Sequence, residues 1–248
     1  MNVWSAQREF VAYGPSHLTV LALFVVGAAA LVWVGRRQSE AQARRFSRVM
    51  AGLLLAVYLA VLVYKLFHPV LASSVPLQLC DIAELAVAYA LWSQKQWAYA
   101  LTYYWGLVLS SQALLTPDVD GPDFPDRSFL TFFALHLLVV WAAVYLTWGR
   151  GMRPNWRSYR LTVVVTLAWA VFTLIFNFLA STNYGYLNHK PPIDSILDFL
   201  GPWPVYLLVE ITLVAIIWAL MTWPWERKRQ RATESPAADD LTPGSSTS

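Results

Sequence analysis

PLQLCDIAELAVAYALW, residues 76–92, is the stretch of sequence on which the fold depends. It is apolar and nearly as long as the ~20 residues that an α-helix needs to cross a bilayer. It also carries Asp81 and Glu84, and charged residues are costly inside a membrane helix. Whether this stretch crosses the membrane decides on which side every later loop lies.

Long apolar blocks fill most of the remaining chain. Hydrophobic residues make up 57% of the 248 residues and charged residues only 13%, about half of the roughly 25% that is usual in soluble domains. The blocks are continuous and lack the alternation of barrel strands, which indicates helices. The sequence therefore predicts an all-α bundle of seven transmembrane helices over residues 17–35, 49–67, 76–92, 97–115, 128–148, 159–180 and 201–223.

The distribution of positive charge supports seven spans. Of the 18 Lys and Arg residues, 14 lie in or beside the loops after the first, third and fifth spans or in the C-terminal tail. Loops rich in Lys and Arg face the cytoplasm. Without residues 76–92, Lys95 and the basic loop after the fifth span would lie on the opposite side. We therefore expect a multi-pass protein of the plasma membrane with its N-terminus outside.

The chain divides into three parts. Residues 1–16 form a short extracellular segment, residues 17–223 the transmembrane domain, and residues 224–248 a cytoplasmic tail that starts basic. The end of the tail is rich in Ser, Thr, Pro and Ala and is expected to be disordered. Neither a nucleotide-binding loop nor zinc-ligand spacing occurs in the sequence, so no nucleic acid and no metal is predicted. The oligomeric state is left open.

Polar residues of the spans gather near the predicted outer ends, whereas the inner halves are apolar. Ionisable residues within spans often mark functional sites. Their arrangement predicts a polar pocket that opens toward the outer leaflet and suits a membrane lipid as ligand or substrate. The candidate residues are His17 in the first span, Gln78, Cys80, Asp81 and Glu84 in the third, His136 in the fifth, and Asn183 and Tyr184 after the sixth.

Several of these residues also have a purely structural interpretation. A lone cysteine such as Cys80 is often a small packing residue in a helix. Asp81 and Glu84 can pair with His17 or Lys65 and so hold helices together. Both interpretations stay open at the level of sequence.

Five short motifs follow one another along the chain: Tyr13–His17, Pro76–Cys80, His136, Asn183–Tyr184 and Gly201–Tyr206. Together they resemble the YwaF-like bacterial membrane proteins, a group that is similar to the eukaryotic transmembrane protein 164 family. The resemblance covers about residues 10–223, which is nearly all of the membrane part.

The resemblance implies a phospholipid acyltransferase in which a cysteine takes the acyl group and a histidine activates it. The matching positions are Cys80 and His136, and such an ester exchange needs no cofactor. Gln78 stands where the bacterial pattern often has a histidine, and glutamine cannot act as a base near neutral pH. His136 or His17 is therefore expected to be the base.

The chemistry of such a site is consistent with these residue types. A thiolate attacks an ester far better than a thiol does, and an adjacent imidazole can generate it. Asp81 or Glu84 would orient the imidazole. Gln78, Asn183 or backbone N–H groups would hold the oxyanion.

Three functions fit the sequence. The first is a lipid acyltransferase or lipid hydrolase that forms a Cys80 acyl-enzyme. The second is a transporter or small-molecule binder, although matched broken helices and inverted repeats, which are usual in transporters, are not evident. The third is a non-catalytic scaffold or sensor. The gathering of cysteine, histidine and carboxylates places the enzyme first.

Overall fold

The computed structural model describes residues 8–119, 121–191 and 196–234, and within them the chain is helical without a β-strand. Two of the helices continue as π-helical segments, at Trp105–Ser110 and Tyr145–Gly149. The α-helices are α1 (Pro15–Arg37), α2 (Glu40–Phe67), α3 (Leu71–Ser74), α4 (Leu79–Ser93), α5 (Gln96–Tyr104), α6 (Ser111–Leu115), α7 (Arg127–Val144), α8 (Trp156–Ala180) and α9 (Val205–Glu234).

The helices begin where side chains satisfy their free N–H groups. Ser39 and Gln42 form a reciprocal capping box at the start of α2, in which the Ser39 N–H donates to Gln42 Oε1 at 2.9 Å. Asp126 accepts from the Ser128 N–H at 2.7 Å at the start of α7. These caps fix the residues at which α2 and α7 begin.

The predicted all-α class is confirmed, and so is the multi-pass membrane character. Within the described residues, six helical segments are long and apolar enough to cross a bilayer. The segment Leu71–Ser93 has the lowest mean hydropathy, 1.3, against 2.2 to 2.4 for the other five. Residues 76–92 thus belong to a spanning segment that the short α3 extends toward its N-terminus. The orientation of the bundle and the identity of the membrane stay predictions.

The predicted span over residues 97–115 corresponds to α5, its π-helical continuation and α6, and it lies at the centre of the bundle. It faces other helices, since most of its residues from 98 to 106 are buried. Tyr99, Tyr104 and Trp105 are fully buried, and their polar atoms have partners. Tyr104 Oη lies 2.6 Å from Thr222 Oγ1, and the Trp105 indole N–H donates to Thr166 Oγ1 at 2.9 Å.

A pair of glycines brings α1 against the end of α7. A Cβ atom at Gly35 would lie 2.7 Å from the Cα atom of Gly149. Small residues allow membrane helices to approach this closely, and dispersion contacts then hold them together. Arg150 secures the same junction by donating to the Gly35 carbonyl at 3.1 Å and by pairing with Glu40.

The C-terminal helix differs from the prediction. The last predicted span ends at residue 223, but α9 continues through Glu234, and the division into a transmembrane domain and a cytoplasmic tail stays a prediction. Residues 235–248 lie outside the described residues, so the disorder of the remaining tail stays a prediction. We call the end of the bundle at which α1, α4, α7 and α9 begin the outer end, because the sequence predicts that it faces outside.

Candidate functional site

A cavity of about 340 Å³ lies between α4, α5, α6, α7, α8 and α9. The loop that follows α8 contributes Gly185, Tyr186 and Leu187 to its wall. Most of its wall is apolar, with tryptophan, leucine, valine and alanine side chains from α5, α8 and α9. Its polar and ionisable lining residues are Gln78, Cys80, Ser110, Gln112, Thr116, Asp118, His136, Thr166, Tyr186 and Glu210.

Cys80 lies in the first turn of α4 and is half-buried with a free thiol. Because side chains three and four positions apart share one face of a helix, Cys80 and Ala83 both line the cavity. Asp81 points toward α2, where it pairs with Lys65, and Glu84, one turn after Cys80, is not among the residues that line the cavity. Neither acidic residue of this span therefore borders the cavity.

The turn before Cys80 is held by the loop after α8. The Gly185 N–H donates to Gln78 Oε1 at 2.9 Å, and the Trp169 indole N–H donates to the Leu77 carbonyl at 3.0 Å. Gly185 has a φ of +67°, and a Cβ atom there would lie 2.6 Å from the Trp169 ring. Only glycine fits both the backbone conformation and the space. Gln78 itself lines the cavity.

Tyr184 secures the same segment from outside the cavity. Its buried hydroxyl donates to the Leu71 carbonyl at 2.6 Å and accepts from the Val75 N–H at 3.0 Å. Asn177 in turn accepts from the Tyr184 N–H at 2.8 Å. Tyr184 was predicted to bind or orient a ligand, but it is not among the residues that line the cavity. It positions the chain that leads to Cys80.

His136 reaches the cavity from α7 with only 8% of its surface exposed. Its Nδ1 lies 2.8 Å from the Phe132 carbonyl oxygen. A carbonyl can only accept, so Nδ1 carries the proton and Nε2 carries the lone pair. This is the tautomer that a general base needs.

The group that orients His136 differs from the prediction. Asp81 or Glu84 was expected to orient the imidazole, but the Phe132 carbonyl occupies Nδ1. Asp81 instead lies 3.7 Å from the Lys65 ammonium and caps α4 by accepting from the Gln78 N–H. For Asp81 the structure thus favours the alternative in which it holds two helices together.

Glu84 is also buried away from the cavity, with 4% of its surface exposed. Its Oε2 has no hydrogen-bond partner within the described part of the chain.

His17 has a different environment from His136. It is fully buried, its Nδ1 accepts from the Tyr13 N–H at 2.8 Å, and its Nε2–H donates to the Leu114 carbonyl at 2.8 Å. Both ring nitrogens are therefore occupied, and His17 does not line the cavity. The second candidate base joins the start of α1 to the end of α6.

Asn183 shapes the loop after α8 and does not line the cavity. Its amide donates to the His189 carbonyl at 2.8 Å, and its Oδ1 accepts from the Asn188 N–H at 3.0 Å. The side chain that was expected to hold an oxyanion is thus used within the loop. Of the two side chains predicted for this role, only Gln78 reaches the cavity.

Three ionisable residues line the cavity although they were not among the predicted site residues. Glu210 enters from α9, while Asp118 and Tyr186 lie at the outer end and are joined by a hydrogen bond from the tyrosine hydroxyl. Burial and this bond raise the pKa of Tyr186 above its ordinary value. Glu210 was visible as a carboxylate within a span, but loop residues such as Tyr186 carry no comparable signal in sequence.

Comparison with known families found a match to the TMEM164 family over residues 12–222. No curated protein and no solved structure matched the chain. The match confirms the predicted relation to the transmembrane protein 164 family, whereas the YwaF-like grouping stays a prediction. Because the matched residues include nearly all of the helical bundle, the chain belongs to the TMEM164 family.

Proposed function

We propose that this protein is a lipid acyltransferase that works through an acyl-enzyme on Cys80, with His136 as general base. The observation that carries the proposal is that a single cavity is lined by the only cysteine of the chain and by a histidine whose Nε2 is free to accept a proton. Nucleophile and base from two different helices are thereby brought to one apolar space.

The first half-reaction transfers the acyl group to the enzyme. His136 Nε2 takes the thiol proton of Cys80, and the thiolate attacks the carbonyl carbon of a lipid ester. The ester C–O bond breaks, and the imidazolium returns the proton to the departing alcohol. The Phe132 carbonyl, which accepts from Nδ1, stabilises the imidazolium while it exists. A thioester on Cys80 and a deacylated lipid result.

The developing oxyanion requires a donor on the cavity wall. The amide of Gln78 lines the cavity two residues before Cys80, and its Oε1 is held by the Gly185 N–H. A donor fixed in this way needs no reorganisation when charge develops. Gln78 thus serves as the oxyanion donor. This role needs a hydrogen-bond donor and no base, so glutamine can fill it at the position where the bacterial pattern often has a histidine.

The second half-reaction passes the acyl group to an acceptor. His136 removes a proton from an acceptor hydroxyl, the alkoxide attacks the thioester, and the C–S bond breaks to release the Cys80 thiol. With water as acceptor the same steps give a hydrolase. The wall contributed by α8 and α9 is mostly apolar, and a lipid hydroxyl with an apolar tail is better suited to such a wall than water is.

The test uses the purified protein in lipid nanodiscs with a phospholipid that carries an isotopically labelled acyl chain. We expect a labelled, hydroxylamine-sensitive thioester on Cys80 and label in an acceptor lipid, both detected by mass spectrometry. Cys80→Ala should abolish the adduct and the transfer. His68→Ala serves as control, because His68 is exposed and does not line the cavity. Undiminished transfer by Cys80→Ala would overturn the proposal.

A further inference from the structure

The face of α9 that lines the cavity carries one carboxylate, Glu210, and is apolar from there inward. Its lining residues recur every three or four positions, as expected for one helix face. With a rise of ~1.5 Å per residue, about 12 Å separate the level of Glu210 from that of Trp218. In order from the outer end they are Leu207, Glu210, Ile211, Val214, Ala215 and Trp218.

On each of three helices, one lining residue lies farther from the outer end than the others and so marks the inner end of the cavity. This residue is Trp218 on α9, Val163 on α8 and Trp105 at the end of α5. Both tryptophans are fully buried. Trp105 is fixed by its bond to Thr166, whereas the Trp218 indole N–H has no partner among the described residues. Two indoles and a valine thus form what we call the floor.

The depth of the cavity matches the length of one acyl chain. One leaflet contributes about half of the ~30 Å hydrocarbon core, or ~15 Å. The ~12 Å from Glu210 to Trp218 is slightly less than this. A chain with its ester near the polar lining residues would therefore reach the floor, and additional methylene groups would meet an indole ring.

We propose that the floor formed by Trp105, Val163 and Trp218 sets the maximum length of the acyl chain that the protein accepts. This inference rests on the proposed function in taking an acyl lipid as the ligand. Beyond that function, it names the residues that select the length of the acyl chain. Trp218 is the principal determinant, because its ring ends the α9 face and has no hydrogen bond among the described residues that would fix it.

Two substitutions should shift the selected length in opposite directions. Trp218→Ala removes the ring that ends the cavity and should admit longer chains. Ala215→Leu adds a side chain one turn above the floor and should restrict the cavity to shorter chains. Each methylene group that gains or loses burial changes affinity by about fourfold. A step of two methylene groups should therefore change affinity by roughly 15-fold.

The experiment measures binding separately from chemistry. Cys80→Ala protein and the same protein with each second substitution are titrated with lysophosphatidylcholines from lauroyl to arachidoyl, and binding is followed by native mass spectrometry. We expect affinity to rise with chain length to a maximum and then to fall, with a longer maximum for Trp218→Ala and a shorter one for Ala215→Leu. Trp223→Ala, a tryptophan on α9 outside the cavity, should leave the maximum unchanged.

The outcomes separate this inference from the proposed function. Equal loss of affinity for every chain, or an unchanged maximum in both variants, would overturn the floor as a length determinant. If Trp218→Ala does not fold, Trp218→Phe should give a smaller shift in the same direction. A shifted maximum in a protein whose wild type forms no Cys80 thioester would keep the floor and reject the acyl-enzyme.

Discussion

His17 and His136 both lie in spans near the outer end, both are buried, and both were candidate bases, yet their surroundings differ. His17 uses both ring nitrogens in hydrogen bonds to the backbone, at Tyr13 and Leu114. His136 has one bond of this kind, to Phe132, and borders the cavity. The His17 imidazole therefore has a hydrogen bond at each ring nitrogen, whereas the His136 imidazole keeps the lone pair of Nε2 on the side of the ring that its bond to Phe132 does not use.

The difference shows that hydrogen bonding to the backbone, rather than residue type or position along the span, distinguishes the two candidate bases. The same distinction applies along α4. Asp81 is committed to Lys65 and to the helix cap, whereas Cys80, one residue earlier, borders the cavity. Neighbouring residues on a helix point in directions about 100° apart, so they can serve different purposes.

The largest effect is expected for His136→Ala. Loss of a general base should lower the rate of Cys80 acylation about 10²- to 10⁴-fold, because the thiol would remain protonated. The measurement is the rate of thioester formation in nanodiscs, with the folded fraction checked by thermal unfolding. If His136→Ala acylates at the same rate as the wild type within experimental error, His136 is not the general base and does not differ from His17 in this respect.

The next largest effect is expected for Gln78→Ala. Removal of an oxyanion donor should lower the acylation rate about 10²- to 10³-fold. Trp169→Phe is the matched control, since it removes the other bond that holds the turn, to Leu77, and keeps the Gln78 amide. If both variants lose the same activity, Gln78 acts by positioning Cys80 and donates to no oxyanion.

His17→Ala should reduce stability and leave the chemistry intact. It leaves the carbonyl of the fully buried Leu114 without its partner, which costs about 1–3 kcal/mol, and it removes the acceptor of the N–H of Tyr13, a residue that is largely exposed. We expect a lower midpoint of thermal unfolding and an unchanged acylation rate per folded molecule. A loss of rate without a loss of stability would return His17 to the candidate bases.

The smallest effect is expected for Asp81→Asn. The amide oxygen still accepts from the Gln78 N–H, and Lys65 loses its ion pair with Asp81. The pH–rate profile of acylation should not change, because Asp81 does not contact the imidazole. A change in that profile would support the original prediction that Asp81 orients the His136 imidazole.

Much of the fold followed from composition. A lipid environment favours continuous apolar blocks, and Lys and Arg accumulate on one side of the membrane. Both features are visible in the sequence, so the all-α membrane bundle could be predicted without knowledge of the tertiary contacts. The span at residues 97–115 shows the limit, since its tyrosines and Trp105 are tolerated only because other helices surround them and provide partners. The continuation of α9 to Glu234 was missed, because a basic, polar stretch does not by itself end a helix.

The sequence by itself determined the membrane class, the family resemblance and the residue types from which a site is built, because these depend on local composition and order. Only the tertiary structure decided that Cys80 and His136 line one cavity, that His17 and Asn183 are occupied elsewhere, and that Glu210 and the floor tryptophans complete the wall. The reason is physical: hydrogen-bond partners and cavity walls come from residues far apart in the chain, and helix packing alone sets which of them meet.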